Sequence, residues 1–349
     1  MQKDHNNLLG NQLAIGITMG DPGGIGPEII VKALADPLIR RQAKFIIFGM
    51  DEQLTYAADA AEIEPYWIRH QHEKISRDYP RNVVVADYDD FYVPSWLHGP
   101  SRVSGEASVR FCLDAIAAAA DGIIDAVVTA PISKLSWQHA EVNWPGHTEM
   151  FADQCKSPQK AMMFVAGPLK MALATIHEAL FEVRHKFTIG RVFEPIDLLN
   201  SALKEYFDIP RPDIAVAALN PHAGEDGQFG DEEKRIITPA IMLARQQGIN
   251  CSGPYPADSL FHRAASGEFD GVVAMYHDQG LIPVKLLAFN QAVNVTIGLP
   301  IIRTSPAHGT AFDIASRNIA DPTSMKNAIK LAIDMAKIKL RNRRRSPSP

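Results

Sequence analysis

The chain has 349 residues, with 46% hydrophobic and 21% charged side chains and a formal net charge of -5. That length suggests two domains or one large one and is enough to bury a core without covalent staples. The charge balance excludes a generally basic, nucleic-acid-binding body, and no uninterrupted apolar run is long enough to cross a bilayer.

The predicted elements alternate between short apolar strands and helices. Leu13–Thr18 reads as a strand, followed by a Gly/Pro-rich loop and a helix from Pro27 to Leu34. Phe45–Gly49 is a second strand, Val109–Ala120 a helix, and Ala126–Pro131 a strand ending in a loop. Ile214–Leu219 and Gly271–Tyr276 repeat the design. Strands apolar on both faces, alternating with helices, predict an α/β fold with a largely parallel sheet. In such sheets ligands bind beyond the carboxyl ends of the strands. Those are the positions of Asp21, of Thr129 and Lys134, of Asn220-Pro221-His222, and of His277-Asp278-Gln279.

Cys112, Cys155 and Cys251 are widely spaced and form no CxxC pair, which opposes a disulfide framework or zinc knuckle and favours a reducing cytoplasm. The polar N-terminus, Met1 to Gln12, lacks the apolar core of a signal peptide. Residues 341–349 close a basic run and are expected to form a solvated, disordered tail rather than a nucleic-acid or lipid patch.

Five segments carry candidate chemistry. Thr18–Glu28 is rich in glycine at a strand-to-helix turn, a place where backbone approaches an anion, although a plain tight turn explains it equally. It fits neither a Walker loop nor the GxGxxG dinucleotide fingerprint. His177, His222 and His277 each follow a predicted strand, and imidazoles converging there could hold a divalent metal, although spacing cannot establish convergence. Gly146-His147-Thr148 offers an imidazole and a hydroxyl to a substrate, or simply a helix cap at Thr148. Lys285, Asn294 and Arg303 are candidate clamps for phosphate or carboxylate, against an alternative of solvated surface charge. Ser305–Ala315 combines hydroxyls, a Gly turn and the start of a helix.

Together these segments resemble the 4-hydroxythreonine-4-phosphate dehydrogenase family of vitamin B6 biosynthesis. The resemblance rests on Thr-Met-Gly-Asp-Pro-Gly-Gly-Ile-Gly-Pro-Glu, Pro-Gly-His-Thr-Glu, Asn-Pro-His-Ala-Gly-Glu, Tyr-His-Asp-Gln-Gly, Gly-Leu-Pro-Ile-Ile-Arg-Thr-Ser and His-Gly-Thr-Ala-Phe-Asp-Ile-Ala, spread from Leu13 to Lys337. The last is also similar to the cofactor loop of isocitrate and isopropylmalate dehydrogenases, which bind a nicotinamide nucleotide without the Rossmann fingerprint.

The resemblance implies two α/β domains of that superfamily's type, with the active site in the interdomain cleft. Residues 1–134 with 300–340 would form the nucleotide side, and 135–299 the metal, substrate and dimerisation domain. It implies NAD or NADP, and one divalent ion (Zn, Mg, Co or Mn) per site on His177, His222 and His277. Those ligands would be shared between the subunits of a homodimer. His147, Thr148, Lys285, Asn294 and Arg303 match substrate-binding positions, and Asp258 an acidic position beside them. His308, Gly309, Thr310, Ala311 and Asp313 would lie against the nucleotide. Lys285 and Asp258 are the candidate proton acceptors. The expected reaction oxidises the secondary alcohol of a phosphorylated four-carbon hydroxy acid, and the β-keto acid product can lose carbon dioxide.

Phe229–Glu233 and Leu281–Leu287 look more like a second branch of the family, acting on 4-phospho-D-threonate and 4-phospho-D-erythronate. The rivals from other classes are a metal-dependent phosphohydrolase and a phospho-ligand binding protein. No nucleic-acid or membrane partner is expected.

Overall fold

The computed structural model describes residues 12–345. The expectations for the first eleven residues and for the terminal Ser-Pro-Ser-Pro fall outside that range. The chain divides into two compact units, 1–156 with 300–337 and 157–299 with 338–349.

The first unit is built on strands β1 (Ala14–Thr18), β2 (Lys44–Gly49), β3 (Ile68–Gln71), β4 (Val83–Asp87) and β5 (Ala126–Thr129), with Ile302–Pro306 returning late in the chain as β12. Their order is β3-β4-β2-β1-β5-β12, and every pairing is parallel. β1, β2, β4 and β5 are buried along their whole length, which matches their lack of polar–apolar alternation.

The boundary expected after residue 134 falls after Lys156 instead. The Lys134–His139 helix belongs with the first unit because it packs on the Arg102–Ala120 helix. A Cβ on Gly105 would meet the Ser136 carbonyl at 2.1 Å, so only glycine allows that approach. Trp137, fully buried, donates from its indole nitrogen to the Ser108 hydroxyl at 2.9 Å.

The second unit contains β6 (Ala161–Ala166), β7 (Leu169–Leu173), β8 (Ile214–Ala217), β9 (Cys251–Tyr255), β10 (Gly271–Ala274) and β11 (Val293–Ile297), ordered β11-β6-β7-β10-β8-β9. β11, β6 and β7 pair antiparallel, whereas β7, β10, β8 and β9 run parallel. The fold is thus α/β and mostly parallel. β7, β10 and β8 are adjacent, so the loops that follow them leave one carboxyl edge side by side.

Two local expectations are corrected. No helix starts within Ser305–Ala315; residues 312–318 form turns, with positive φ at Ala311, Ser316 and Asn318 that a right-handed helix cannot contain. The supposed tail from 341 is helical to Arg345, as the end of the Thr323–Arg345 helix. It is tied down by Lys339 to Glu205 at 2.9 Å and Arg341 to Asp208 at 2.6 Å. Basic side chains also suit the negative end of a helix. No helix among the described residues is long and apolar enough to cross a membrane.

Candidate active site

In the second unit the β7 and β10 loops are tied together before either reaches its histidine. Ala174 N–H donates to the Ala274 carbonyl at 2.9 Å, and the Thr175 hydroxyl to the Met275 carbonyl at 2.8 Å. The Gln279 amide then bridges strands, donating to the Ala218 carbonyl and accepting from Met275 N–H, each at 2.7 Å. This staple sets the His177 and His277 rings 5.9 Å apart by centroid. They face a cavity of about 290 Å³ also lined by Thr175, Glu178, Tyr276 and Asp278. Asp278 Oδ1 accepts from His277 Nδ1–H at 2.7 Å, which leaves the lone pair of Nε2 for a metal. Buried Glu178 Oε2 has no hydrogen-bond partner.

His222 is held differently. His222, Ala223, Gly224, Glu225 and Asp226 all have positive φ, a run of left-handed backbone. Each non-glycine residue in that region costs about 1–2 kcal/mol, so the surrounding structure must enforce it. Buried Glu233 anchors the residues that enter the run, accepting from Leu219 N–H at 2.8 Å, Asn220 N–H at 2.7 Å and the Asn220 amide at 3.0 Å, and Phe229 N–H closes on the Gly224 carbonyl within it at 3.1 Å. The His222 ring lies 6.3 Å from that of Phe229. No group of three metal-capable side chains forms among the described residues. One chain therefore brings two of the three histidines together. Two imidazoles, one with a carboxylate on its other nitrogen, fit a divalent ion as a partial donor set.

Lys285 is two turns beyond His277 on the His277–Ala288 helix, with Nζ 4.8 Å from the Phe289 ring centroid. Asp258 is exposed on the Ala257–Ala265 helix, where it accepts from Ser259 N–H at 3.0 Å. Neither lines the cavity around the imidazole pair. Asn294, on β11, has a buried Oδ1 without a hydrogen-bond partner, an acceptor open to a ligand.

The first unit gathers Arg303, His147 and Thr148, three of the expected substrate-binding residues. Arg303, 2% exposed on β12, donates to the Thr129 hydroxyl from Nε at 3.2 Å and Nη2 at 2.7 Å, and lies over the Phe151 ring. Burial pulls its guanidinium down to about 10, so it stays charged at neutral pH. Burial, and then the Arg303 charge, hold His147 well below the usual imidazole range, so its ring is neutral. Its Nε2 is buried with no partner. Thr148 is buried in the first turn of the His147–Gln154 helix; it is not the cap, a position taken by Gly146. A fixed cation, a neutral imidazole and a hydroxyl suit a phosphate or carboxylate.

The two glycine-bearing loops of this unit meet. Ile25 N–H donates to the Thr310 carbonyl at 3.0 Å, and a Cβ on Gly24 would come within 2.9 Å of that oxygen. Next to them is a cavity of about 120 Å³ lined by Pro22, Gly24, Gln53, Tyr56, Ser316 and Asn318. His308 is exposed, with Nδ1 3.0 Å from the Gly309 carbonyl, and Ala311 takes φ 43°. Asp313 is exposed in the following turn. A bare-backbone cradle of this kind lets a ligand such as a nucleotide phosphate approach the main chain closely. Gln53 and Tyr56 carry no motif, so sequence reading passed over them.

Asp21 anchors the first loop by accepting from Ser136 Oγ at 2.6 Å and Gly23 N–H at 2.9 Å. Burial pushes its carboxyl up to about 6, against the pull of the Ser136 and Gly23 bonds. The folded state therefore binds this proton more tightly than the unfolded chain, and stability falls as pH rises from about 4 to 6, by about 3 kcal/mol from this group. We expect Asp21→Asn to remove that loss. Chemical denaturation should show the variant gaining on the native protein between pH 4 and pH 7, and a difference independent of pH would refute the assignment.

The comparisons with known proteins bear on both units. The family model for the pyridoxal phosphate biosynthetic protein PdxA matches residues 41–332. A 4-hydroxythreonine-4-phosphate dehydrogenase from Desulforapulum autotrophicum is 43% identical over 340 residues, 96% of this chain and 99% of that one. One from Geobacter metallireducens is 45% identical over 328 residues, 93% of this chain and 95% of that one. The crystal structure of the Klebsiella pneumoniae enzyme of that name superposes with a TM-score of 0.84 at 37% identity, covering 93% of this chain and 98% of that one. A match of this extent over both units makes the chain a member of the PdxA family.

Proposed function

We propose that this chain oxidises the secondary alcohol of 4-hydroxythreonine 4-phosphate with NAD or NADP, in pyridoxal phosphate biosynthesis, as a homodimer with one divalent ion (Zn, Mg, Co or Mn) per site. The observation that carries the substrate class is the buried Arg303–Thr129 pair beside a neutral His147 with an open Nε2. Arg303, Thr148 and His147 grip the substrate's anionic groups, and Asn294 accepts a hydrogen bond from it. The Gly24–Thr310 cradle holds the dinucleotide. His177 and His277 hold the metal from one subunit, and His222 of the other completes the set. When bound, the metal supplies Lewis-acid polarisation of the alcohol and the nicotinamide accepts hydride. Lys285 or Asp258 takes the hydroxyl proton, and the β-keto acid then loses carbon dioxide.

The dimer reading is supported by an exposed apolar stripe. Ile282, Leu286 and Phe289 lie at helical spacing along the His277–Ala288 helix and its end, 59%, 82% and 70% exposed. Such a stripe needs a partner surface. The cytoplasmic assignment rests on three widely spaced cysteines that form no CxxC pair.

The test is turnover of 4-hydroxythreonine 4-phosphate, compared with 4-phospho-D-threonate and 4-phospho-D-erythronate, each with NAD and NADP. Nicotinamide reduction with the first compound supports the proposal. Preference for the sugar acids would move the chain to the second branch of its family, and phosphate release without reduction would make it a phosphohydrolase.

A further inference from the structure

The first unit carries a second basic feature at the opposite end of its strands. Asp21 and Thr129 mark the carboxyl ends of β1 and β5. The Pro37–Arg40 helix and residues 80–82 instead lead into the amino ends of β2 and β4, which are aligned with the starts of β1 and β5. A five-residue strand separates the two edges by roughly 16 Å. Arg40, Arg41 and Arg81 collect at the amino edge, around a surface cavity of about 390 Å³ that Pro37, Tyr66 and Asn82 also line. No carboxylate lines it.

The cavity is partly organised in advance. The Tyr66 hydroxyl donates to the Val31 carbonyl at 2.8 Å, which fixes the ring. The Arg40 guanidinium lies 4.5 Å from that ring's centroid and donates to the Leu34 carbonyl. Arg41 and Arg81 are exposed. Elsewhere in the same unit Arg69, Arg77, Arg102 and Arg110 are all paired with carboxylates. Three guanidiniums around one concavity, with no acid in its wall, repel one another until an anion is bound. Guanidinium forks match phosphate oxygens in pairs.

We propose that this cavity is a second anion site, for a small phosphate-bearing metabolite, separate from the Arg303 cluster that grips the substrate. Arg41 and Arg81 clasp the phosphate, and Arg40, stacked on Tyr66, forms the floor beneath it.

Labelled pyrophosphate in equilibrium dialysis at low ionic strength is the probe. The native protein and Arg303→Ala should both bind it at this site. Arg41→Gln/Arg81→Gln should bind about tenfold more weakly or worse, the loss expected for charge-assisted contacts, while turnover of the phosphorylated substrate is unchanged, which also shows the variant is folded. Three results would overturn the proposal: no pyrophosphate binding to the native protein, unchanged binding in the double variant, or complete loss of binding in Arg303→Ala alone.

Discussion

Arg303→Ala should lower kcat/KM for the phosphorylated substrate by roughly 30-fold to several thousandfold, while leaving dinucleotide affinity nearly unchanged. The guanidinium is buried and bonded to Thr129, so an anion reaching it is desolvated, and losing such a contact costs about 2–5 kcal/mol. Arg303→Lys separates charge from geometry. It keeps a cation but loses the fork that addresses Thr129 and a ligand together, so a partial loss is expected. Steady-state kinetics with both ligands varied, and direct dinucleotide titration of each variant, make the check. A raised dinucleotide requirement with normal substrate dependence would place Arg303 at the cofactor instead.

Mixing His222→Ala with His277→Ala protein under conditions of subunit exchange should restore about a quarter of native activity. Random exchange makes half of the dimers mixed, and a mixed two-fold dimer has one intact site of its two. The arithmetic follows from the structure, in which His177 and His277 meet within one chain while His222 stands apart. The same reasoning predicts that His177→Ala mixed with His277→Ala recovers nothing, because each site then lacks one member of the pair. Recovery in the second mixture, or none in the first, would reject this division of ligands. Each single variant should also lose bound divalent metal, since two imidazoles hold a metal poorly against water. An active monomer in sedimentation would reject sharing altogether.

The legibility of this molecule divides along sequence separation. Patterns confined to a few residues were readable directly. Fully apolar runs such as Phe45–Gly49 marked buried parallel strands, and Pro27 with the glycines before it marked a strand-to-helix turn. Because a parallel sheet exposes its loops at one carboxyl edge, those runs also placed Thr129, His177, His222 and His277 at strand ends. The long motifs carried the family. None of this revealed partners. That Thr129 receives Arg303 from 174 positions away, that Thr175 is bonded to Met275 across 100, and that Asp21 is met by Ser136 across 115 are outcomes of strand order and register. Periodicity fixes which face of a strand is buried, but many pairings of the same strands bury those faces equally well, and packing chooses among them. For the same reason three histidines that look equivalent along the chain become an adjacent pair and a third on a run of left-handed backbone whose entry is bonded to Glu233.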